Sequence, residues 1–434
     1  MHGSNPAILS ALVCPVAPRR QQAAGHRVDY RARSATVATA EESDFMTPPA
    51  GKRFDVCVSG SGAVAMSLAL ALSAEGFSVA WARATAFQAP NSQDVRTYAL
   101  NARAIALLTR LRIWPALQEF SAPVFDMEIR GDDGGHLHFS AWQQRVNELA
   151  WIADAGALER LLSDALRFAP RVDVVGPLVD GHAPVEASLL AICEGKFSDS
   201  RRALGVSFDR QPYGHSGVAA RLVASRPHQG VARQWFRSPD VLALLPFNQP
   251  EPQASYGLVW SVPQERAQEL TQLPAADFER ELNQAIKASD PQALALVGEL
   301  KLSSEVASWP LSLARASRWA GPGWVLLGDA AHQVHPLAGQ GLNLGLADAD
   351  TLVSVLVEAR RNEPWREPGE ERLLQRYVRQ REWPTRAMAS VTDGMLHLFA
   401  DSRGPLKALR NVGMSAVERL GPVKHWLIGR ALDA

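Results

Sequence analysis

Residues 54–76 read FDVCVSGSGAVAMSLALALSAEG. FDVCVSG is a short apolar run of the kind that fills a buried strand. It leads into Gly60-Ser61-Gly62-Ala63-Val64-Ala65, which fits GxGxx(G/A). Gly60 would allow a tight turn, Gly62 would let the backbone approach a pyrophosphate, and Ala65 keeps the following helix close to the strand. That helix opens at Ala63, runs through Leu68, Leu72 and Ala74, and stops at Gly76. Its first turn offers unpaired N–H groups and a partial positive charge to phosphates. FSVAWA follows as a second strand. Strand, glycine turn, helix and strand in this order predict a Rossmann-like α/β domain with a dinucleotide site. The competing reading is a tight turn packed for structure alone.

One part of the usual dinucleotide pattern is missing. A carboxylate for the adenosine ribose is expected about 20 residues further on. Here the second strand ends Trp81-Ala82-Arg83, and the next acid is Asp94. Arg83 is either a partner for a 2′-phosphate or a solvated strand end. The choice between NADP and FAD therefore falls to a later segment.

That segment is residues 324–349, WVLLGDAAHQVHPLAGQGLNLGLADA. It reads as a strand ended by Gly328-Asp329, then a helix across Ala330 to His332. Pro336 stops that element, and Gly339-Gln340-Gly341 opens a helix through Leu342, Asn343 and Leu346. A second glycine-led helix start, far from the first, implies a second part of a long ligand, as in FAD. Asp329 would accept hydrogen bonds from ribitol hydroxyls. The N–H groups near Gly341 and Leu342 would face the flavin N1–C2=O edge, where negative charge gathers on reduction. His332 and His335 read as polar lining or helix-surface imidazoles. They lack a third ligand, so no zinc site is read here.

The rest of the chain frames these turns. With 434 residues, 47% hydrophobic and 21% charged, it is globular in composition. Lys+Arg 45 against Asp+Glu 45 excludes a global basic field for nucleic acid. Cys14, Cys57 and Cys193 form no CxxC and no disulfide framework, which points to a reducing compartment. The longest apolar stretch, 63–74, is too short to span a bilayer, which takes about 20 residues. Helical patterns cover 99–111, 156–168 and 278–286. From Tyr213 to Val262 the texture changes to SGVAARLVA, GVARQWF, LALLPF and SYGLVWSV, short runs that predict an antiparallel sheet. Residues 1–50 are rich in Ala, Arg, Ser and Pro and show almost no apolar periodicity. Translation starting at Met46 is one reading of them; an Arg-rich transit peptide is the other. The lack of a clear amphipathic helix favours the first, which goes with a cytoplasmic enzyme; the second goes with a mitochondrial one.

At these residues the sequence resembles the flavin-dependent aromatic hydroxylases of the para-hydroxybenzoate hydroxylase fold, and within them the ubiquinone-biosynthesis hydroxylases (UbiH/UbiF/VisC type). GDAAHQVHPLAGQGLNLGLADA carries most of the resemblance, HPLAGQGLNLGL most specifically. DVRTYALNARAIALL adds a stretch in which Arg96 corresponds to a flavin-contacting arginine. WIADAGALERLL adds a helix with Glu159 where the family often has Gln. A third motif, DG followed by Ser and Arg, stands here as Glu194-Gly195-Lys196-Phe197-Ser198-Asp199-Ser200-Arg201, with Asp lengthened to Glu.

The resemblance implies a non-covalent FAD site built from Gly60, Gly62, Ala63, Ala65, Arg96, Glu159, Glu194, Gly195, Gly328, Asp329, Pro336, Gly339, Gln340, Gly341, Leu342 and Asn343. It implies an FAD domain of 52–123, 151–206 and 319–355, a substrate domain of 124–150 and 207–318, and C-terminal helices over 356–434. It implies that NAD(P)H reduces the flavin and that O2 then supplies one oxygen to an electron-rich, polyprenylated phenol or quinol. Trp235, Phe236, Leu244, Leu245, Phe247, Trp260 and Trp309 are candidate lining residues, with plain core as the alternative. Tyr213, His215 and His335 are candidate phenol bases. Residues 397–434 carry six Lys/Arg and three Asp/Glu among apolar positions. Such a tail would rest on a membrane surface or cover the FAD domain; peripheral contact with the inner membrane or a ubiquinone-biosynthesis complex is the partner expected of the protein. An FAD reductase without hydroxylation and a flavin-binding scaffold subunit are the competing functions.

Overall fold

A computed structural model describes residues 52–83, 94–131, 135–334 and 340–400. The first strand, β1 (Phe54–Ser59), and the helix after the glycine turn, α1 (Ala63–Ala74), are buried almost throughout. Alanine and leucine on every side of α1 suit a helix covered on both faces. It lies between a sheet and the long helix Gln340–Asn362. Val64 of α1 packs so tightly there that a Cβ on Gly345 would lie 2.6 Å from its Cγ2.

The sheet under α1 has six strands in the order Ala320–Gly321, Trp324–Leu326, Ala187–Ile192, β1, β2 (Val79–Ala82) and Val172–Val175. All pairings are parallel except the edge pair Ala320–Gly321 with Trp324–Leu326. This is the doubly wound arrangement, in which ligands bind beyond the carboxyl ends of the strands.

A nine-stranded sheet forms the second layer. Its centre is antiparallel: Phe208–Ala224 pairs with Ser255–Pro263, which pairs with Asp240–Phe247, which pairs with Val231–Arg237. Asp126–Arg130 joins the far edge in parallel, followed by His136–Ser140. Helices Gln264–Gln272 and Ala275–Ser289 cover one face. A small antiparallel sheet of Thr97–Leu100, Ala150–Asp154 and Ser121–Val124 lies alongside.

Register decides which apolar residues are core. Trp235, Leu242, Trp260 and Val218 lie opposite one another across four strands, with Leu244, Leu258 and Ala220 two residues along on the same face. Trp235, Leu244 and Trp260 pack with Phe278 and Leu282 of the covering helix. Trp260 meets Phe278 edge-on, centroids 6.4 Å apart, an arrangement worth about 0.5–1.5 kcal/mol beyond its buried area. Three of the candidate lining residues therefore belong to the helix-side core. The other face carries Gly217, Ala219, Ala243, Gly257, Val259 and Ser261, with Leu245, Phe247, Phe236 and Trp309 around them. It is made largely of small side chains, and Trp309 is exposed.

Three sequence expectations need correction. Ala330–His332 is not helix. Gly328–Ala330 is one short 3-10 turn, and His332–Gln333 pairs as a strand with Ala314 and Arg315. Alanine's helix preference, a few tenths of a kcal/mol per residue, yields to that pairing. The 99–111 helix begins at Ala102, because Asn101 caps it, accepting from Ala104 N–H at 2.9 Å, and Thr97–Leu100 is strand. Residue 355 is no boundary: Leu352, Val355, Leu356 and Ala359 continue the buried face of helix Gln340–Asn362.

Candidate active site

The first glycine turn is shaped by its neighbours. Gly60 has φ +132°, and a Cβ there would lie 2.3 Å from the Cys193 carbonyl oxygen. Its own carbonyl accepts from Trp81 Nε1 at 2.8 Å. Gly62 is the N-cap of α1, and a Cβ there would meet nothing within 4 Å. The first turn of α1 has no side-chain cap and no acidic residue. Its N–H groups are thus left for an anion in the open space beside Gly62.

Glu194 stands at the carboxyl end of strand Ala187–Ile192. Oε1 accepts from Ser59 Oγ at 2.6 Å and Ser200 Oγ at 2.5 Å; Oε2 accepts from Ser198 Oγ at 2.7 Å and Ser200 N–H at 3.1 Å. The longer acid is thus spent on three serines, and its effect is to fold the loop carrying Gly195 and Lys196. Gly195 has φ +76° with open space beside it. Arg201 is buried, stacks 3.7 Å from the Phe208 ring, and donates to Ala330 O at 2.9 Å and Lys196 O at 3.1 Å. This ties the third motif to the second glycine turn.

In that second turn Gly328 has φ +57°, and its N–H donates to Asp348 Oδ2 at 3.0 Å. Asp329 is reached by solvent yet walled in by protein. That enclosure pushes its carboxyl up, against the opposing pull of His332 and Lys196. A solvent-reached carboxyl inside a recess is what a bound polyol would cover. Gly341, in the first turn of its helix, has open space where a Cβ would stand; Leu342 is half-buried. Asn343 spends its amide on the protein: Nδ2 donates to Ala99 O at 2.8 Å and Oδ1 accepts from Asn101 N–H at 3.2 Å. His335, Pro336, Gly339 and the side chain of Gln340 lie outside the described residues.

Strand Thr97–Leu100 brings the remaining group. Arg96 contacts Asp94 through Nε at 2.9 Å and Nη2 at 2.6 Å, and Glu159 through Nη2 at 3.3 Å. Enclosure raises the Glu159 carboxyl, Arg96 opposes this, and Asp94 adds to it. Tyr98 is pushed up to about 12, by enclosure first. The Arg96 guanidinium opposes that shift, and the carboxylates of Glu159, Asp94 and Asp329 add to it.

Tyr213 and His215 do not join this group. His215 pairs with Pro263, whereas Arg221 of the same strand pairs with Gly257. Gly257 is the contact with strand Thr97–Leu100, since a Cβ there would lie 2.7 Å from Thr97 Oγ1. Six residues of strand, about 20 Å, separate the two levels. The His215 ring nitrogens lie 3.0 and 3.2 Å from the Tyr213 and Pro239 carbonyl oxygens.

Sequence reading missed the support beneath the second turn. Asp348 is completely buried, 2.6 Å from His332 Nε2 and 2.7 Å from Arg381 Nε. Arg381 also donates to Leu344 O at 3.2 Å, and Trp319 packs over the His332 ring at 4.9 Å. The available signal was an acid on the apolar face of a helix, between Leu344 and Leu352. Among the described residues no group of His, Cys, Asp or Glu could hold a metal ion, and no helix is long and apolar enough to cross a membrane.

Open space beside Gly62 and Gly341 at two helix starts, a solvent-reached carboxyl in a recess and the Asp94–Arg96–Glu159 group fit a long, phosphate-bearing ligand with a polyol segment. Residues 168–392 match the FAD binding domain family. Ubiquinone hydroxylase UbiL of Rhodospirillum rubrum is 30% identical over 407 residues, covering 89% of this chain and 91% of that one. The 3-demethoxyubiquinol 3-hydroxylase of Escherichia coli is 29% identical, covering 87% and 98%. Among solved structures, p-nitrophenol 4-monooxygenase PnpA from Pseudomonas putida superposes with a TM-score of 0.68 at 17% identity, covering 88% of this chain and 99% of that one. At that identity it speaks for the fold alone. Sequence and fold agree, and the chain belongs to the FAD-dependent monooxygenases of the ubiquinone-hydroxylase family.

Proposed function

We propose that this chain hydroxylates the aromatic ring of a polyprenylated phenol or quinol in ubiquinone biosynthesis, with NAD(P)H as reductant and O2 as oxygen donor. The observation that carries this reading is the face of the nine-stranded sheet that helices Gln264–Gln272 and Ala275–Ser289 do not cover. Its apolar side chains are small, Ala219, Ala243 and Val259, which suits a flat ring with an apolar tail. That face runs to Gly257, which touches Thr97, next to Arg96.

Bound FAD supplies the redox chemistry, accepting hydride and activating O2. The protein's own part is binding, orientation and exclusion of water. The N–H groups at the start of α1 would hold the pyrophosphate. Asp329 would accept from ribitol hydroxyls. The N–H groups of Gly341 and Leu342 would stabilise the negative charge that reduction brings. Val259, Ala219 and Ala243 offer no polar group to water, which keeps the reacting ring dry. Residues 397–434, which beyond Ala400 lie outside the described residues, supply by composition the basic and apolar surface that we propose meets the membrane holding such a substrate.

Complementation tests the reaction. A strain lacking the corresponding hydroxylase should regain ubiquinone with this gene, and label from O2 should appear in the new ring hydroxyl. Flavin binding without label would leave only the reductase or scaffold functions. Asp329→Ala tests the placement of FAD. Loss of an enclosed acceptor costs about 1–3 kcal/mol, so FAD should bind about 5- to 150-fold more weakly by titration. Unchanged affinity would remove Asp329 from the site.

A further inference from the structure

Arg221 belongs to the nine-stranded sheet, on the helix-free face at the level of Gly257. Its guanidinium leaves that sheet. Nη2 lies 2.6 Å from Asp154 Oδ2 and donates to the Asp94 carbonyl at 2.5 Å. The Phe247 ring packs 5.1 Å from its centre, and its backbone N–H is held by Ser304 Oγ at 2.8 Å. Asp154 is in turn the N-cap of helix Ala155–Arg167, accepting from Ala157 N–H at 2.6 Å, and that helix carries Glu159. Glu159 and Asp94 both contact Arg96. The contacts close a ring: Arg221, Asp154, the helix to Glu159, Arg96, Asp94, and back to Arg221. Three carboxylates share two guanidiniums in this ring.

We propose that Arg221, supplied by the substrate sheet, is a positioning residue of the flavin site: it holds the Asp94–Arg96 segment in place and balances the carboxylate charge around Arg96. The inference rests on the flavin placement proposed above. Its physical content is electrostatic as well as steric. Removing the Arg221 charge leaves three carboxylates against one guanidinium, and strips its counter-charge from Asp154, whose side chain is 6% exposed, at the end of the ring where water screens least. An added negative field opposes both the FAD pyrophosphate and the negative charge that reduction places on the ring.

The test uses the full-length protein, with FAD affinity by titration and the flavin midpoint potential as readouts. Arg221→Gln should weaken FAD binding about tenfold, equivalent to about 1.4 kcal/mol, and move the potential to more negative values. Arg221→Lys keeps the charge and should restore the potential. Asp154→Asn keeps a good N-cap but removes a carboxylate, and should move the potential to more positive values. Opposite shifts from the two ends of one ion pair are not expected of a residue that merely glues two sheets together. If both changes lower the melting temperature but move the potential in the same direction, or not at all, the inference falls. Should Arg221→Gln fail to fold, the signs from Asp154→Asn and Arg221→Lys still decide: no positive shift in the first, or a shifted potential in the second, overturns it. Arg96→Gln separates the two levels. FAD affinity unchanged in Arg96→Gln removes the flavin placement itself. Affinity lost there but kept in Arg221→Gln removes only the role of Arg221.

Discussion

The Gly62→Val protein is expected to fold and to lose its flavin. Gly62 has φ −88° and ψ 174°, an extended conformation open to valine, and a Cβ there meets nothing of the protein within 4 Å. Valine is a poorer N-cap than glycine, so a stability cost of up to about 1 kcal/mol is expected. The side chain does, however, fill the space in which α1 presents its N–H groups, and a pyrophosphate cannot share it. FAD affinity should fall by about 100-fold or more, equivalent to about 2.7 kcal/mol. Gly60→Ala should fail differently, because its Cβ would collide with the Cys193 carbonyl in a backbone region that side chains rarely enter. Flavin absorbance per protein after gel filtration, alongside the melting temperature of the flavin-free protein, separates the two outcomes. Full flavin occupancy in a folded Gly62→Val protein would move the pyrophosphate elsewhere.

The two glycines show what sequence can carry. A backbone forced to φ +132° against another strand, or kept bare for a ligand, leaves a glycine at a fixed spacing, and spacing is visible in one dimension. The strands of the second sheet were legible for a similar reason, as apolar runs between turns. Their faces were not. Trp235, Leu244 and Trp260 read as cavity lining or as core, because both faces of that sheet are apolar, and the covering helix with Phe278 decides between them. Glu194 illustrates a different limit. The resemblance implies a cofactor-site residue there, whereas its three serine partners show a carboxylate used to build a loop. The ring of charge around Arg96 was out of reach altogether. Asp94, Asp154 and Arg221 come from three separate segments, and no local pattern requires them to meet.

The same holds for Asp348, whose partner Arg381 lies a helix away, and here the expected effect is large. Asp348→Asn should destabilise the protein by about 3–5 kcal/mol at pH 7, the usual cost of removing one member of a buried ion pair. The asparagine would leave Arg381 without its counter-charge in a fully buried position. It would also replace the acceptor that His332 and the Gly328 N–H share. Because Gly328 precedes Asp329, flavin binding should weaken as well. The acid dependence has a definite sign. Burial alone would push the Asp348 carboxyl up, but His332 and Arg381 outweigh it and hold it below the usual carboxylate range. A folded-state value below the unfolded one, about 3.9, means that the stabilisation is complete above the unfolded value. It is lost as pH falls through the folded one. Urea unfolding of the flavin-free proteins should therefore show a constant gap between wild type and Asp348→Asn from pH 7 to about 5, narrowing only below about pH 4. A gap under about 1 kcal/mol at pH 7, as for an exposed pair, would show that this ion pair does not hold the second glycine turn.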